Sequence, residues 1–272
     1  MQVTNTKNLN LRQLPSLGND NIITTIPAQS IIEILMPAIE GWAKVIFKGI
    51  VGFVSAQFLS AKSTEKVAVI RRKNFFDAIK KNGLFPVLSQ SQLEGIEATL
   101  TEWEWWIFNG WVDNDLRKLA YILATDYHEG GATMQPVKER GGDAYYVKKY
   151  WTNRKKAKEL GNRNAQDAID YCGKGKPQIT GRANYIRIGK ILGYDLVGHP
   201  DLMFDLKIAT EVMFEGMLAG VSLVGDFTGV SIEKYFTAKL EDPEGARKAV
   251  NGTDRADLIA GYYRKFLSAL RA

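Results

Sequence analysis

The chain has 272 residues, 45% of them apolar and 24% charged, with a net charge of +6, a composition that supplies a sizeable core and excludes a disordered chain. No run approaches the roughly 20 apolar residues of a membrane-spanning helix. One cysteine, Cys172, and two distant histidines, His128 and His199, exclude an internal disulfide and argue against a zinc site, so neither metal nor cofactor is expected.

The length suits two domains of unequal size, and the first is read from short β-rich runs at Leu9 to Arg12, Ile22 to Ile26, Ile31 to Leu35, Trp42 to Phe47 and Gly52 to Val54. Turn residues punctuate them: Pro15, the Gly18 to Asn21 stretch, Pro37, Gly41 and Gly49. The pattern predicts a small barrel over residues 1–60. The runs LNLRQLPS and GWAKVIFKGIVGFV, with the closing Phe58-Leu59-Ser60, make this segment similar to bacterial SH3 domains. That resemblance implies a wall-binding module. The opening MQVTNTKNLNLR lacks the charged-then-apolar order of a secretory signal. The expectation is synthesis in the cytoplasm, with action outside it following lysis or a non-classical export route.

Residues 61–73 (AKSTEKVAVIRRK) hold five basic residues against one acid and are expected to form a basic linker. A second cluster, Lys148 to Arg163, has seven basic residues against Glu159 alone. Both could steer the chain to a polyanion, although a solvated helix face is the more frequent meaning of such runs. No aromatic interleaving or helix-turn-helix pattern supports a nucleic-acid partner.

From residue 74 to 272 the apolar period lengthens to about 3.6, which predicts a mainly α-helical domain. Helical runs are Asn74 to Lys81, Ser89 to Trp103, Asp115 to Glu129, Ala165 to Asp170, Ile208 to Leu218 and Thr253 to Leu270, the last with Thr253 as its expected cap. The Trp103-Glu104-Trp105-Trp106 cluster and Trp111 suit core better than a sugar platform.

Gly130-Gly131 stops the third of these helices directly after Glu129. A carboxylate at a helix C-terminus meets the negative end of the macrodipole, which favours its protonated form by about 0.3–1 kcal/mol and suits a general acid. Ten residues on, past Pro136, Glu139 is expected on a polar loop. Two carboxylates in contrasting settings are the pair that glycoside hydrolysis needs, but thirty acids generate many such pairs. A third stretch, YCGKGKPQITGRANY, offers close backbone approach at its glycines and neutral donors at Gln178, Thr180 and Asn184, while lacking the spacing of a phosphate loop.

Taken with LAYILATDYHEGG, MQPVKE, LGYDLVGHPDL and NGTDRADLIAGYYRKFL, this stretch resembles glycoside hydrolase family 19 chitinases and, more closely, phage endolysins of that type. The resemblance implies a lysozyme-like domain with Glu129 as general acid, Glu139 as general base and Thr180 orienting the water. It implies sugar-binding positions at His128, Gln178, Asn184 and Asn251, and a cleft wall opened by Tyr171. It implies inverting hydrolysis of β-1,4 bonds of the bacterial cell wall by a monomer, with carboxyl groups roughly 6.5–9.5 Å apart. Gly130 and Lys174 depart from the residues that the family more commonly carries, threonine and arginine. A chitinase and a catalytically inactive wall-binding protein are the alternatives, and a nucleic-acid-binding protein ranks far behind.

Overall fold

The computed structural model describes residues 2–39, 41–61, 70–108, 111–219 and 227–272. The contacts divide the chain into two compact units, one of Met1–Val67 with Trp105–Asp113 and the other of Ala68–Glu104 with Asn114–Ala272.

The first unit is a seven-stranded antiparallel sheet. Its strands are β1 (Gln2–Asn5), β2 (Leu9–Arg12), β3 (Ile22–Ile26), β4 (Ile31–Ile39), β5 (Trp42–Phe47), β6 (Ile50–Ser55) and β7 (Leu59–Ala61), in the order β3-β2-β6-β5-β4-β1-β7. Alternation decides which side chains go inward: Val3, Leu9, Leu11, Ile26, Ile32, Ile34, Ala43, Val45 and Val54 form one buried cluster. Six strands feeding a single cluster require a strongly curved sheet. Trp111, from the Trp105–Asp113 segment, packs against this core. The first unit is therefore not closed at residue 60, because its core draws on a tryptophan some fifty residues further on.

Most of the expected linker, residues 62–69, lies outside the described residues. Its end is helical: α1 runs Arg72–Lys81, and Arg72 is held by Glu104 at 2.7 Å and Glu97 at 2.8 Å. That arginine is spent on an internal ion pair.

The second unit continues with α2 (Gln90–Phe108), whose last four residues are counted with the first unit, and α3 (Leu116–Glu129). Asp115 caps α3 through the Arg117 N–H, and nine consecutive residues, Lys118 to Asp126, are buried. Then come a two-residue strand β8 (Val137–Lys138), α4 (Asp143–Val147) and one π-helical turn over Lys148–Thr152. Three short helices follow β8 and this turn, α5 (Arg154–Leu160), α6 (Ala165–Asp170) and, after β9 (Lys174–Gly175), α7 (Arg182–Leu192). The last helices are α8 (Leu206–Met217) and α9 (Ala256–Leu270). Trp103 and Trp106 are buried, as core residues. Thr253 does not cap α9: Arg255, in the left-handed region at φ 57°, stands at the N-cap position with no side-chain bond. No helix among the described residues is long and apolar enough to cross a membrane.

Candidate active site

The second unit carries an open cleft made of two adjoining hollows that share Glu129, Lys149, Tyr150, Gln178, Thr180 and Asn251. One, of about 410 Å³, also takes Asn184; the other, of about 780 Å³, also takes His128 and Glu139. Several separate pieces of chain make the walls, among them the C-terminal end of α3, the paired strands β8 and β9 with their flanks, the π turn with α5, and Val250 and Asn251, which follow a short helical turn at Gly245–Ala249.

Glu129 stands at the last position of α3, where Gly130 N–H bonds back to the Asp126 carbonyl. The helix end is not its only charged neighbour. The guanidinium of Arg247, 1% exposed, donates to Glu129 Oε1 at 2.7 Å and to the Asp254 carbonyl at 3.0 Å. Beside it His128 is half-buried, and burial pulls its pKa below the ordinary 6.5; Arg247 and Arg255 act in the same direction and Glu129 against it. The imidazole is accordingly neutral at pH 7.

Glu139 follows β8 and is tied down at both backbone ends, its N–H donating to the Gly173 carbonyl at 2.7 Å and its carbonyl accepting from Tyr146 at 2.6 Å. Its carboxylate is surrounded. Oε1 accepts from Lys149 Nζ at 2.6 Å and Tyr145 at 3.4 Å, and Oε2 from Tyr150 at 2.7 Å and the Gly173 N–H at 3.4 Å. A Cβ on residue 173 would lie 3.2 Å from that of Glu139, so glycine there lets the segment before β9 approach the carboxylate. Burial, the Lys149 ammonium notwithstanding and with Glu139 adding to it, raises the Tyr150 hydroxyl to about 12. It remains a neutral donor across the physiological range. Burial lowers Lys149, but its bonds to Glu139, Tyr150 and Tyr145 outweigh that and raise it overall.

Lys149 and Tyr150 are adjacent in sequence and both reach one carboxylate because they lie in the π turn, a geometry frequent at functional sites. Their run, Lys148 to Arg163, is largely a solvated face, as its composition suggests, yet Lys149 and Lys156 line the cleft.

The other expected positions fall out unevenly. Thr180 lines both hollows, its hydroxyl 3.2 Å from the Gln178 carbonyl. Asn251 also lines both, and Asn184 lines one while donating to the Thr180 carbonyl at 2.7 Å. Gln178 faces the cleft, but its amide N–H groups bond to the Val137 and Gly175 carbonyls at 2.7 and 2.8 Å, which makes it a brace of the β8–β9 strand pair. Tyr171 differs from expectation: it is 6% exposed, its ring is 5.1 Å from that of Tyr185, its hydroxyl donates to the Val197 carbonyl, and it lines neither hollow. An aromatic ring before a glycine run suits core packing as well as a wall. Lys174, standing where the resemblance implies arginine, is 4% exposed and paired with Asp201 at 2.6 Å. Arg247, Lys149 and Tyr150 are the residues that sequence reasoning did not single out. Arg247 carries no local signal, since its partner lies 118 positions away.

No family model matches the chain, and no curated protein matches it. Among solved structures the chain is similar to chitinase C from Streptomyces griseus, at 15% identity over 89% of this chain and 93% of that one, with a TM-score of 0.48. It is also similar to a bacterial family 19 chitinase, at 18% identity over 74% of this chain and 95% of that one, with a TM-score of 0.42.

Proposed function

We propose that the protein is a glycosidase that hydrolyses β-1,4 bonds of bacterial cell-wall peptidoglycan with inversion. The observation that carries the reading is the presence of Glu129 and Glu139 on the wall of one open cleft, Glu129 held by a guanidinium from a segment remote in sequence and Glu139 by an ammonium and hydroxyl groups from the turn that follows it. Glu129 gives its proton to the leaving oxygen, while Glu139, with Thr180 beside it, draws the proton from a water on the opposite face of the sugar. That water enters on the Oε1 side, because Oε1 faces Tyr145 and the Lys149 side chain, each 44% exposed, whereas Oε2 faces Tyr150, which is 5% exposed.

Peptidoglycan is preferred to chitin on charge. Lys138, Arg140, Lys149 and Lys156 line the cleft, and the stem peptides of peptidoglycan bring carboxylates that a neutral chitin chain lacks. In this reading the N-terminal sheet unit is an SH3-like wall-binding module, and the protein reaches the wall after lysis or by export without a classical signal.

The test is digestion of purified sacculi followed by mass spectrometry of the released muropeptides, with the anomer of the new reducing end followed by proton NMR. A new reducing sugar formed with inverted configuration is expected. Glu129→Gln is expected to keep the fold and lower turnover by at least about 10²-fold; undiminished lysis by that variant refutes the assignment. Faster release from chitin oligomers than from sacculi would transfer the substrate to chitin and leave the two carboxylate roles intact.

A further inference from the structure

Behind the cleft lies a charge cluster with no access to solvent. Lys176 and Asp126 are both 0% exposed and paired at 2.8 Å. The Lys176 ammonium also donates to Thr99 Oγ1 and to the Gly95 carbonyl, each at 2.9 Å, which places all three of its protons. Thr99 Oγ1 lies 3.4 Å from Asp126 Oδ2, while Asp126 Oδ1 has no hydrogen-bond partner among the described residues. Gly95 and Thr99 come from α2, Asp126 from α3 and Lys176 from the loop after β9.

Full charges are a poor choice for stability at such a place, because desolvation cancels most of their attraction and an apolar pair of equal volume is often as stable. Direction is what they add. Asp126 stands one helical turn before Glu129, and Lys176 stands two residues before Gln178 and four before Thr180. The same face of α2 supports the segment that joins Glu129 to Glu139: a Cβ on Gly95 would collide with the Met134 carbonyl, Gln92 donates to the Ala132 carbonyl at 2.9 Å, and Gln135 donates to the Ser91 carbonyl at 2.5 Å. Ala132, Met134 and Gln178 hold left-handed backbone, with φ of 66°, 57° and 54°. Non-glycine residues persist there only where their surroundings impose it.

We propose that Lys176 and Asp126, together with Thr99, form a positioning centre that sets the spacing between the helix carrying Glu129 and the loop carrying Gln178 and Thr180. These are positioning residues, since none of them lines the cleft. The proposal rests on the glycosidase reading, and its test separates the two.

The full chain carrying Lys176→Met with Asp126→Asn removes both charges at nearly constant volume. Steady-state kinetics on soluble glycan strands, thermal unfolding and amide hydrogen exchange are measured beside the unaltered chain. The expected result is kcat lower by about ten- to a hundredfold, KM within about twofold, and faster exchange over residues 174–184 with α9 unchanged. Thr99→Val, which exchanges only a hydroxyl for a methyl, is expected to shift kcat and exchange in the same direction by less, and decides the matter if the double variant does not fold. Unaltered kcat and unaltered exchange in the folded variants overturn the proposal. If the unaltered chain cleaves no glycan, the glycosidase reading fails by itself, and the exchange rates alone then confirm or overturn the positioning centre.

Discussion

Glu139 and Glu129 differ in how their carboxyl groups are held. Glu129 has one strong donor, a buried guanidinium on a turn remote in sequence, whereas Glu139 has four donors, three of them from the eleven residues after it and the fourth from Gly173 beside the paired strand β9. Loss of one donor at Glu139 is therefore expected to be graded. Tyr150→Phe leaves Oε2 with the 3.4 Å bond to Gly173, and kcat is expected to fall about five- to tenfold with little change in melting temperature, as steady-state kinetics and calorimetry will show. His128 gives a pH signature. Because its folded pKa is lowered by burial, the unfolded chain binds the proton more readily, so stability declines as pH falls below about 6.5 and levels off below the folded value. Denaturant unfolding of the natural chain and of His128→Gln between pH 7 and 5 is expected to show a shallower decline in the variant; equal slopes would assign the pH dependence to other groups. At this scale the sequence shows Glu129, because paired glycines stop a helix, and it hides Arg247, whose partnership exists only once the chain has folded.

At the scale of elements, legibility does not follow length alone, since the six-residue α6 is read and the eleven-residue α7 is not. The α6 bounds, Ala165–Asp170, coincide with the sequence expectation, and α3 differs by one residue. The helices α4, α5 and α7 escape it: α4 and α7 start from glycines, Gly142 and Gly181, where no capping side chain signals a helix, and α5, RKKAKEL, is too charged for an apolar period to stand out, whereas Asn164 caps α6. In the sheet the runs Leu9–Arg12, Ile22–Ile26 and Trp42–Phe47 coincide with β2, β3 and β5, whereas β1, which lies between β4 and β7, and the three-residue edge strand β7 are too short for an alternation to stand out. Gly95 illustrates a sign reversal. In an isolated helix Gly→Ala stabilises by about 1 kcal/mol, but here the added methyl meets the Met134 backbone. Gly95→Ala is expected to destabilise by about 1–3 kcal/mol, seen as a lowered melting temperature, and a stabilised variant would show that α2 can slide away from the 130–139 segment.

For the whole molecule, the change of period near residue 70 separates a β-rich from a helical region correctly, yet it cannot show that Trp105–Asp113 joins the sheet unit. That membership depends on Trp111 meeting an apolar core formed about fifty residues earlier in the chain. A chain starting at residue 70 removes this core. It is expected to show a red-shifted tryptophan emission that Trp111→Phe abolishes, to lose affinity for sacculi, and to keep hydrolysis of soluble strands. Full retention of sacculus binding by the shortened chain would take wall attachment away from the sheet unit.

The widened turn at Lys148–Thr152 has a consequence for how such a protein can change over evolutionary time. A five-residue loop of helix holds one residue more than the ordinary spiral, so loss of a single position would restore the ordinary turn, rotate the side chains within it by up to about 100° and carry the ammonium or the phenol away from Glu139. Exchange of side chains in this turn tunes the water-activating carboxylate by degrees; a one-codon deletion would switch it off.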